Sequence, residues 1–412
     1  MSELTVDGAR LRSALETLAQ FGATPSGGVS RTSFSPADSA ARAWVLDRCE
    51  AAGLRVRTDG IGNMFVTVPG ALDDARPVWT GSHIDSVPDG GRFDGALGSM
   101  AALEVACRLA ESNVALRRPV EAVIFADEEG CYHHLLGSTA LVRSYSPDEL
   151  AKLEGRDGDR LVDALQGLGW DLEAASATAV PAGSVHAFVE LHIEQGAVLE
   201  ASSVDIGVVT SIVGMGGGRL EFEGRADHAG TTPMNLRRDP LRAAGELLTR
   251  LPEVTASISP TAVATCGIIG VEPGAANVVP SLARLQLDYR DVRRDLIEAL
   301  EDALFEAANE AADRHDLQVR FTRDSITNPA PMDQRLQDLI ESAATAQGRS
   351  TLRMPSGAGH DSQNMSRLAP TGMIFIPSTG GRSHSPAEHS TWADIEAGAN
   401  VLLQTVLSLA TE

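Results

Sequence analysis

Residues 81–95 set an imidazole and two carboxylates close together: His83, Asp85 and, nine residues after Asp85, Asp94, directly before Gly95. They follow the apolar run Pro77-Val78-Trp79-Thr80, as loop residues follow a strand. Nitrogen and oxygen donors in this mixture suit divalent metals such as zinc or manganese. A ligating histidine needs its other ring nitrogen held by an acceptor, and Asp85, two residues on, is in reach. One His-x-Asp alone is a common surface pair. Three more groups change its meaning: Glu128-Glu129 after Val120–Ala126, His192 within Val185–Gly196, and His384 in Gly380-Gly381-Arg382-Ser383-His384. Taken singly these read as a solvated loop pair, a core histidine and a loop histidine. Together they offer five donors and one spare glutamate. That set suits two metals sharing a bridging carboxylate, with the spare carboxylate acting on the attacking water.

The elements that must position these groups alternate between strand and helix. Helical patterns at 10–20 and 38–53 precede a strand pair, 54–57 and 64–68, joined by Asp59-Gly60-Ile61-Gly62-Asn63. A strand at 78–82, a helix rich in small residues at 95–110, and buried-type strands at 120–126 and 185–196 follow. Such alternation predicts an α/β sheet whose ligands gather at the carboxyl ends of the strands, where the donor clusters stand. Near residue 211 the pattern changes. A half-polar strand at 217–226, a helix at 239–251, strands at 262–271 and 281–290, a helix at 295–315 and a strand at 318–323 read as an inserted β-α-β-β-α-β layer. The α/β pattern resumes with helix 333–347, strand 371–377 and helix 392–409. The predicted fold is a discontinuous α/β catalytic domain, residues 1–211 and 327–412, with a mixed sheet flanked by helices. A ferredoxin-like α+β domain, residues 212–326, interrupts it. The strand Arg219–Arg225 is expected at a sheet edge, which would need covering.

The 412 residues carry a net charge of −22, which argues against nucleic acid and anionic membrane as partners. Four scattered cysteines (Cys49, Cys107, Cys131, Cys266) fit reduced cytosolic thiols. The acidic start, Met1–Asp7, lacks the apolar core of a secretory signal, and a cytoplasmic location is expected.

Further blocks complete a recognisable order: Asp127-Glu128-Glu129-Gly130, Glu190-Leu191-His192-Ile193-Glu194-Gln195-Gly196, Asp227-His228-Ala229-Gly230-Thr231-Thr232-Pro233-Met234, Asn277-Val278-Val279-Pro280, Asp288-Tyr289-Arg290, Ser356-Gly357-Ala358-Gly359-His360-Asp361 and Ser383-His384. This order resembles the hydantoinase/carbamoylase family of amidases. That family groups N-carbamoyl-L-amino-acid hydrolase, β-ureidopropionase and allantoate amidohydrolase among the aminoacylase/carboxypeptidase-like dinuclear metallohydrolases. The resemblance covers nearly the whole chain.

The resemblance implies two divalent metal ions per subunit, zinc or manganese, with cobalt or nickel also compatible. His83, Asp94 and His192 would hold one; Asp94, Glu129 and His384 would hold the other, with Asp94 as the bridge. Glu128 would be the general base. His228 would reach the partner subunit's site and stabilise the oxyanion, which implies a homodimer through the inserted lid domain. Asn277 and Arg290 would grip the substrate carboxylate, while Gln195 and the backbone at Gly359 contact substrate. The family's arginine-phenylalanine pair after Glu-Glu-Gly is missing here, replaced within Cys131-Tyr132-His133-His134, and Arg382 is a candidate replacement cation. The implied reaction cleaves the ureido C–N bond of a small N-carbamoyl amino acid to amino acid, ammonia and carbon dioxide. Allantoate hydrolysis, a dipeptidase or deacylase activity, and a non-catalytic binding role are the rival readings.

Overall fold

A computed structural model describes residues 4–72, 74–155 and 158–412; Met1, Ser2 and Glu3 of the acidic start lie outside them. The chain divides into two compact units, Met1–Thr210 with Met332–Glu412, and Ser211–Pro331.

In the first unit a large mixed sheet runs in the order Arg55–Thr58, Met64–Val68, Val120–Phe125, Val78–His83, Ala187–Ile193, Thr371–Ile376 and Ile206–Ile212, with Thr351–Ser356 also paired to the last. The four strands from Val120–Phe125 to Thr371–Ile376 are parallel neighbours. Their side chains alternate between two cores. Val78, Ile124, Val189 and Ile374 join Leu11, Leu97, Ile340 and Leu402 from helices Gly8–Leu18, Ala96–Glu111, Gln334–Ala346 and Trp392–Thr411. Trp79, Val123, Phe125 and Phe188 join Leu141, Met365 and Leu368 on the other side. Burial on both faces is why these strands read as unbroken apolar runs. Helix Ala96–Glu111 lies close against the sheet because it is built of small residues: a Cβ on Gly98 would come within 2.2 Å of the Leu191 carbonyl oxygen.

The second unit is a four-stranded antiparallel sheet in the order Gln318–Arg323, Gly214–Glu223, Leu282–Asp291, Val263–Glu272. Helices Pro240–Ile258 and Arg294–Arg314 supply Leu247, Leu300 and Leu304 to a core with Leu220, Phe222, Leu285 and Leu287. In chain order this is β-α-β-β-α-β. The expected edge strand is a correction: the strand containing Arg219–Glu223 is paired on both sides. Its polar-apolar alternation reports one open face of the sheet, which says nothing about lateral neighbours. The edges are Gln318–Arg323 and Val263–Glu272, and the latter exposes Val263, Ile268 and Ile269 by 52%, 66% and 53%.

Candidate metal centre

Parallel strands end on the same side, and the donors collect there. His83 closes its strand, Asp127-Glu128-Glu129 follow Phe125 almost directly, His192 sits one residue before the end of Ala187–Ile193, and His384 lies on the loop beyond Ile376. Asp94 enters from the start of helix Ala96–Glu111. Its neighbour must be glycine: Gly95 has φ +60°, and a Cβ there would stand 2.2 Å from His83 Nε2.

The two oxygens of Asp94 face two different groups. Oδ1 lies 3.6 Å from His83 Nε2 and 3.2 Å from His192 Nε2. Oδ2 lies 3.3 Å from His384 Nε2, which is 3.6 Å from Glu129 Oε1. The structure thus brings together His83, Asp94 and His192, and separately Asp94, Glu129 and His384, each set with donor atoms within 4.8 Å of one another. Two imidazoles are fixed as ligands need to be. His83 Nδ1 donates to the Asp85 main-chain carbonyl at 3.0 Å and His192 Nδ1 to that of Ile193 at 2.8 Å, so both Nε2 atoms face the cluster. The acceptor for His83 is therefore the backbone of Asp85; its carboxylate, 3.6 Å from Nδ1, instead takes the N–H of Glu129 at 3.1 Å. That carboxylate braces the glutamate pair. Glu128, 5% exposed, places Oε2 3.5 Å from His83 Nε2.

Electrostatics give the same reading. Burial works to raise Asp94, but hydrogen bonds from His192 and His384 outweigh it and hold the carboxyl well below the usual carboxylate range. A hydrogen bond to Asp94 pushes His384 up to about 9 against burial. Burial, reinforced by Asp94, raises Glu129 to about 7. Glu128 is lifted well above its ordinary value by burial, with His83 opposing and Glu129 adding to the rise. Burial would lower His83, yet Glu128 and Asp85 overrule it. Crowded carboxylates hold protons on imidazoles at a place where divalent cations would supply the positive charge directly. The donor chemistry fits two such ions.

The backbone is strained around this cluster. Asp127, Gln195 and His384 have φ of 54°, 61° and 54°. Asp127 is tied down by its own carboxylate, which accepts the N–H groups of Cys131, Tyr132 and His133 at 2.7–3.0 Å. Sequence reasoning missed Glu388. Its Oε1 accepts the N–H groups of Phe93 and Asp94 at 2.8 and 3.1 Å, and its Oε2 the Ser383 hydroxyl at 2.8 Å. It therefore joins the Asp94 loop to the His384 loop. A Cβ on Gly91 would sit 2.0 Å from its carboxylate, so the glycine pair at 90–91 was the signal available. Gln195 Nε2 donates to Asp94 Oδ2 at 2.7 Å, and Gln195 Oε1 has no hydrogen-bond partner among the described residues. Gly359 leaves room for the His134 ring: a Cβ there would be 3.0 Å from His134 Nε2. His134 Nδ1 in turn donates to the Glu128 main-chain carbonyl at 3.0 Å.

The other three candidates belong to the smaller unit. His228 is part of the short ladder Asp227–His228 with Val278–Val279, opposite Val278, and Asn277 directly precedes the second strand. The Asn277 carbonyl accepts the N–H of Ala229 at 2.9 Å. His228 is exposed, and its Nδ1 accepts the N–H groups of Gly230 and Thr231 at 3.0 and 3.2 Å. The ring proton is thereby placed on Nε2. Arg290 forks onto Asp288, Nε to Oδ1 at 2.8 Å and a terminal nitrogen to Oδ2 at 3.1 Å.

Residues 79–408 match the model of Peptidase family M20/M25/M40. The chain is a member of that family. Within it the chain is 38% identical over 409 residues to an N-carbamoyl-L-amino acid amidohydrolase of Geobacillus stearothermophilus, covering 98% of this chain and 99% of that one. It is 35% identical to an allantoate amidohydrolase of Bacillus subtilis, covering 96% of each. The crystal structure of a hydantoinase/carbamoylase family amidase from Burkholderia multivorans superimposes with TM-score 0.93 at 34% identity, covering 99% of both chains. This M20 member is accordingly a hydrolase of the hydantoinase/carbamoylase group. The M20 family is metal-dependent, and the clusters above are the candidate metal-binding residues of this chain.

Proposed function

We propose that the protein hydrolyses the ureido group of an N-carbamoyl amino acid, an N-carbamoyl-L-amino acid or N-carbamoyl-β-alanine. Water adds and the carbamoyl carbon–nitrogen bonds break, giving amino acid, ammonia and carbon dioxide. The observation that carries this is Asp94, a buried carboxylate with one oxygen toward His83 and His192 and the other toward His384. The two resulting sets would hold two divalent cations, zinc or manganese, which would supply Lewis-acid polarisation of the ureido carbonyl and a more acidic water.

The chain's own groups do the rest. Glu128, outside both sets, takes the proton of the attacking water and delivers it to the departing nitrogen. Gln195 Oε1, without a partner, accepts a substrate N–H. Asn277 and Arg290, the latter exchanging Asp288 for substrate, hold the carboxylate, and the Nε2 proton of His228 faces the oxyanion. The protein acts as a homodimer in which His228 serves the neighbouring subunit, the smaller unit closing over bound substrate. The edge strand Val263–Glu272, with Ile268 and Ile269 exposed, is the surface that pairing with its twin would cover.

The test is ammonia release by the manganese- or zinc-loaded protein. N-carbamoyl-L-amino acids, N-carbamoyl-β-alanine, allantoate and N-acetyl amino acids are offered in parallel. Allantoate belongs in the panel because the relative named for it is nearly as similar as the N-carbamoyl-L-amino acid hydrolase. Turnover of the N-acetyl compounds alone, without ammonia, would reassign the protein as a deacylase. No turnover of any ureido compound would remove the reading.

A further inference from the structure

Beside the candidate metal centre a shallow, wide-open cavity of about 590 Å³ is lined by Gln195, Ala358, Arg382, Ser383 and His384, with Arg382 and His384 exposed. Two of these groups are unspent. Gln195 Oε1 has no hydrogen-bond partner, and Arg382 makes no hydrogen bond or ion pair among the described residues. Its neighbours on the same loop are engaged: the Ser383 hydroxyl bonds Asp94 and Glu388, and the Gly380 N–H bonds Glu200. A guanidinium left over on the wall of a cavity that contains His384 is placed for an anion that arrives with the substrate.

We infer that Arg382 is a specificity-determining residue that binds a second carboxylate, carried on the substrate's side chain, and so selects N-carbamoyl derivatives of acidic amino acids. The inference rests on the ureido-hydrolase reading above. There Arg290 and Asn277 take the carboxylate common to all such substrates, which leaves Arg382 for a group that only some of them carry. Gln195, on the same wall, holds the ureido end near Asp94 through the acceptor it has free.

The experiment compares N-carbamoyl-L-glutamate with N-carbamoyl-L-glutamine, nearly identical in shape and differing in one charge. The ratio of their kcat/KM values is measured for the metal-loaded wild type, Arg382→Gln and Arg382→Glu, with metal content and melting temperature as folding controls. The wild-type ratio should favour the glutamate derivative. Arg382→Gln should lower the ratio by about 3- to 30-fold, between an exposed ion pair and the low end for a desolvated one, because Arg382 is exposed. Arg382→Glu should lower it further. A ratio unchanged in both variants overturns the inference, whether the two rates fall together, which would assign Arg382 to the shared carboxylate, or neither falls. A wild type that cleaves neutral N-carbamoyl amino acids but not the glutamate derivative also overturns it and leaves the hydrolase reading standing. Absence of ammonia from every ureido compound removes the hydrolase reading itself.

Discussion

Glu128→Gln separates a proton carrier from a metal ligand. Glu128 is 5% exposed with Oε2 3.5 Å from His83 Nε2, yet it belongs to neither three-residue donor set. Changing it to glutamine keeps the side-chain volume and removes a buried charge next to Glu129, so the fold should not suffer. No donor is lost, and bound metal should stay near the wild-type content. Removing a general base costs about 10²–10⁴-fold in kcat, equivalent to about 2.7–5.4 kcal/mol of transition-state stabilisation. Asp94→Ala is the contrast. Each donor set falls from three residues to two, so both metals should be lost together with activity. The assay is metal content by elemental analysis of dialysed protein, alongside kcat for ammonia release. Loss of about half the metal in Glu128→Gln would make Glu128 a ligand. A kcat within a few-fold of wild type, with metal retained, would mean that another group moves the proton.

Metal binding should strengthen with pH. His384, raised to about 9 by its hydrogen bond to Asp94, and Glu129, raised to about 7 by burial, both hold protons that an entering cation must displace, whereas Asp94 is already ionised. The logarithm of affinity should therefore climb by at least about one per pH unit between about 7 and about 9, since the raised ligand His83 must also give up its proton, and more steeply below. A chelator-dye competition on metal-free protein showing a flat or falling affinity over that range would contradict the assignment. Arg290→Ala should weaken substrate binding by about 2–5 kcal/mol with metal content intact; an unchanged KM would move the carboxylate grip elsewhere. Mixing inactive His228→Ala with inactive Glu128→Gln under subunit exchange should restore about half of each heterodimer's activity, because one of its two sites escapes both defects. Mixed dimers that stay inactive would confine His228 to its own subunit or to no catalytic role.

How much of this was legible in the sequence follows from what each signal reports. Strands buried on both faces must be apolar throughout, so Val78–His83, Val120–Phe125, Ala187–Ile193 and Thr371–Ile376 stand out, and the polar residues at their ends mark the site. Parallel pairing then carries His83, Glu128, Glu129, His192 and His384 to one end of one sheet. Lateral order is not written this way. The strand Gly214–Glu223 has an edge-like alternation and lies inside its sheet, because alternation counts exposed faces and not neighbours. Short elements were also invisible: Leu136–Val142 begins at Leu135 with φ 59° and no side-chain cap, so no local start signal announces it. The supporting residues were hardest to see. Glu388 acts through backbone N–H groups of Phe93 and Asp94, almost three hundred positions away, and every residue type carries that donor. What such a contact does leave in the sequence is a constraint on volume. Gly91 yields to Glu388 and Gly95 to His83, and either Cβ would drive into the group that holds Asp94 in place. Ligands advertise themselves by chemistry, while the shell that aims them is recorded in the side chains the chain does without.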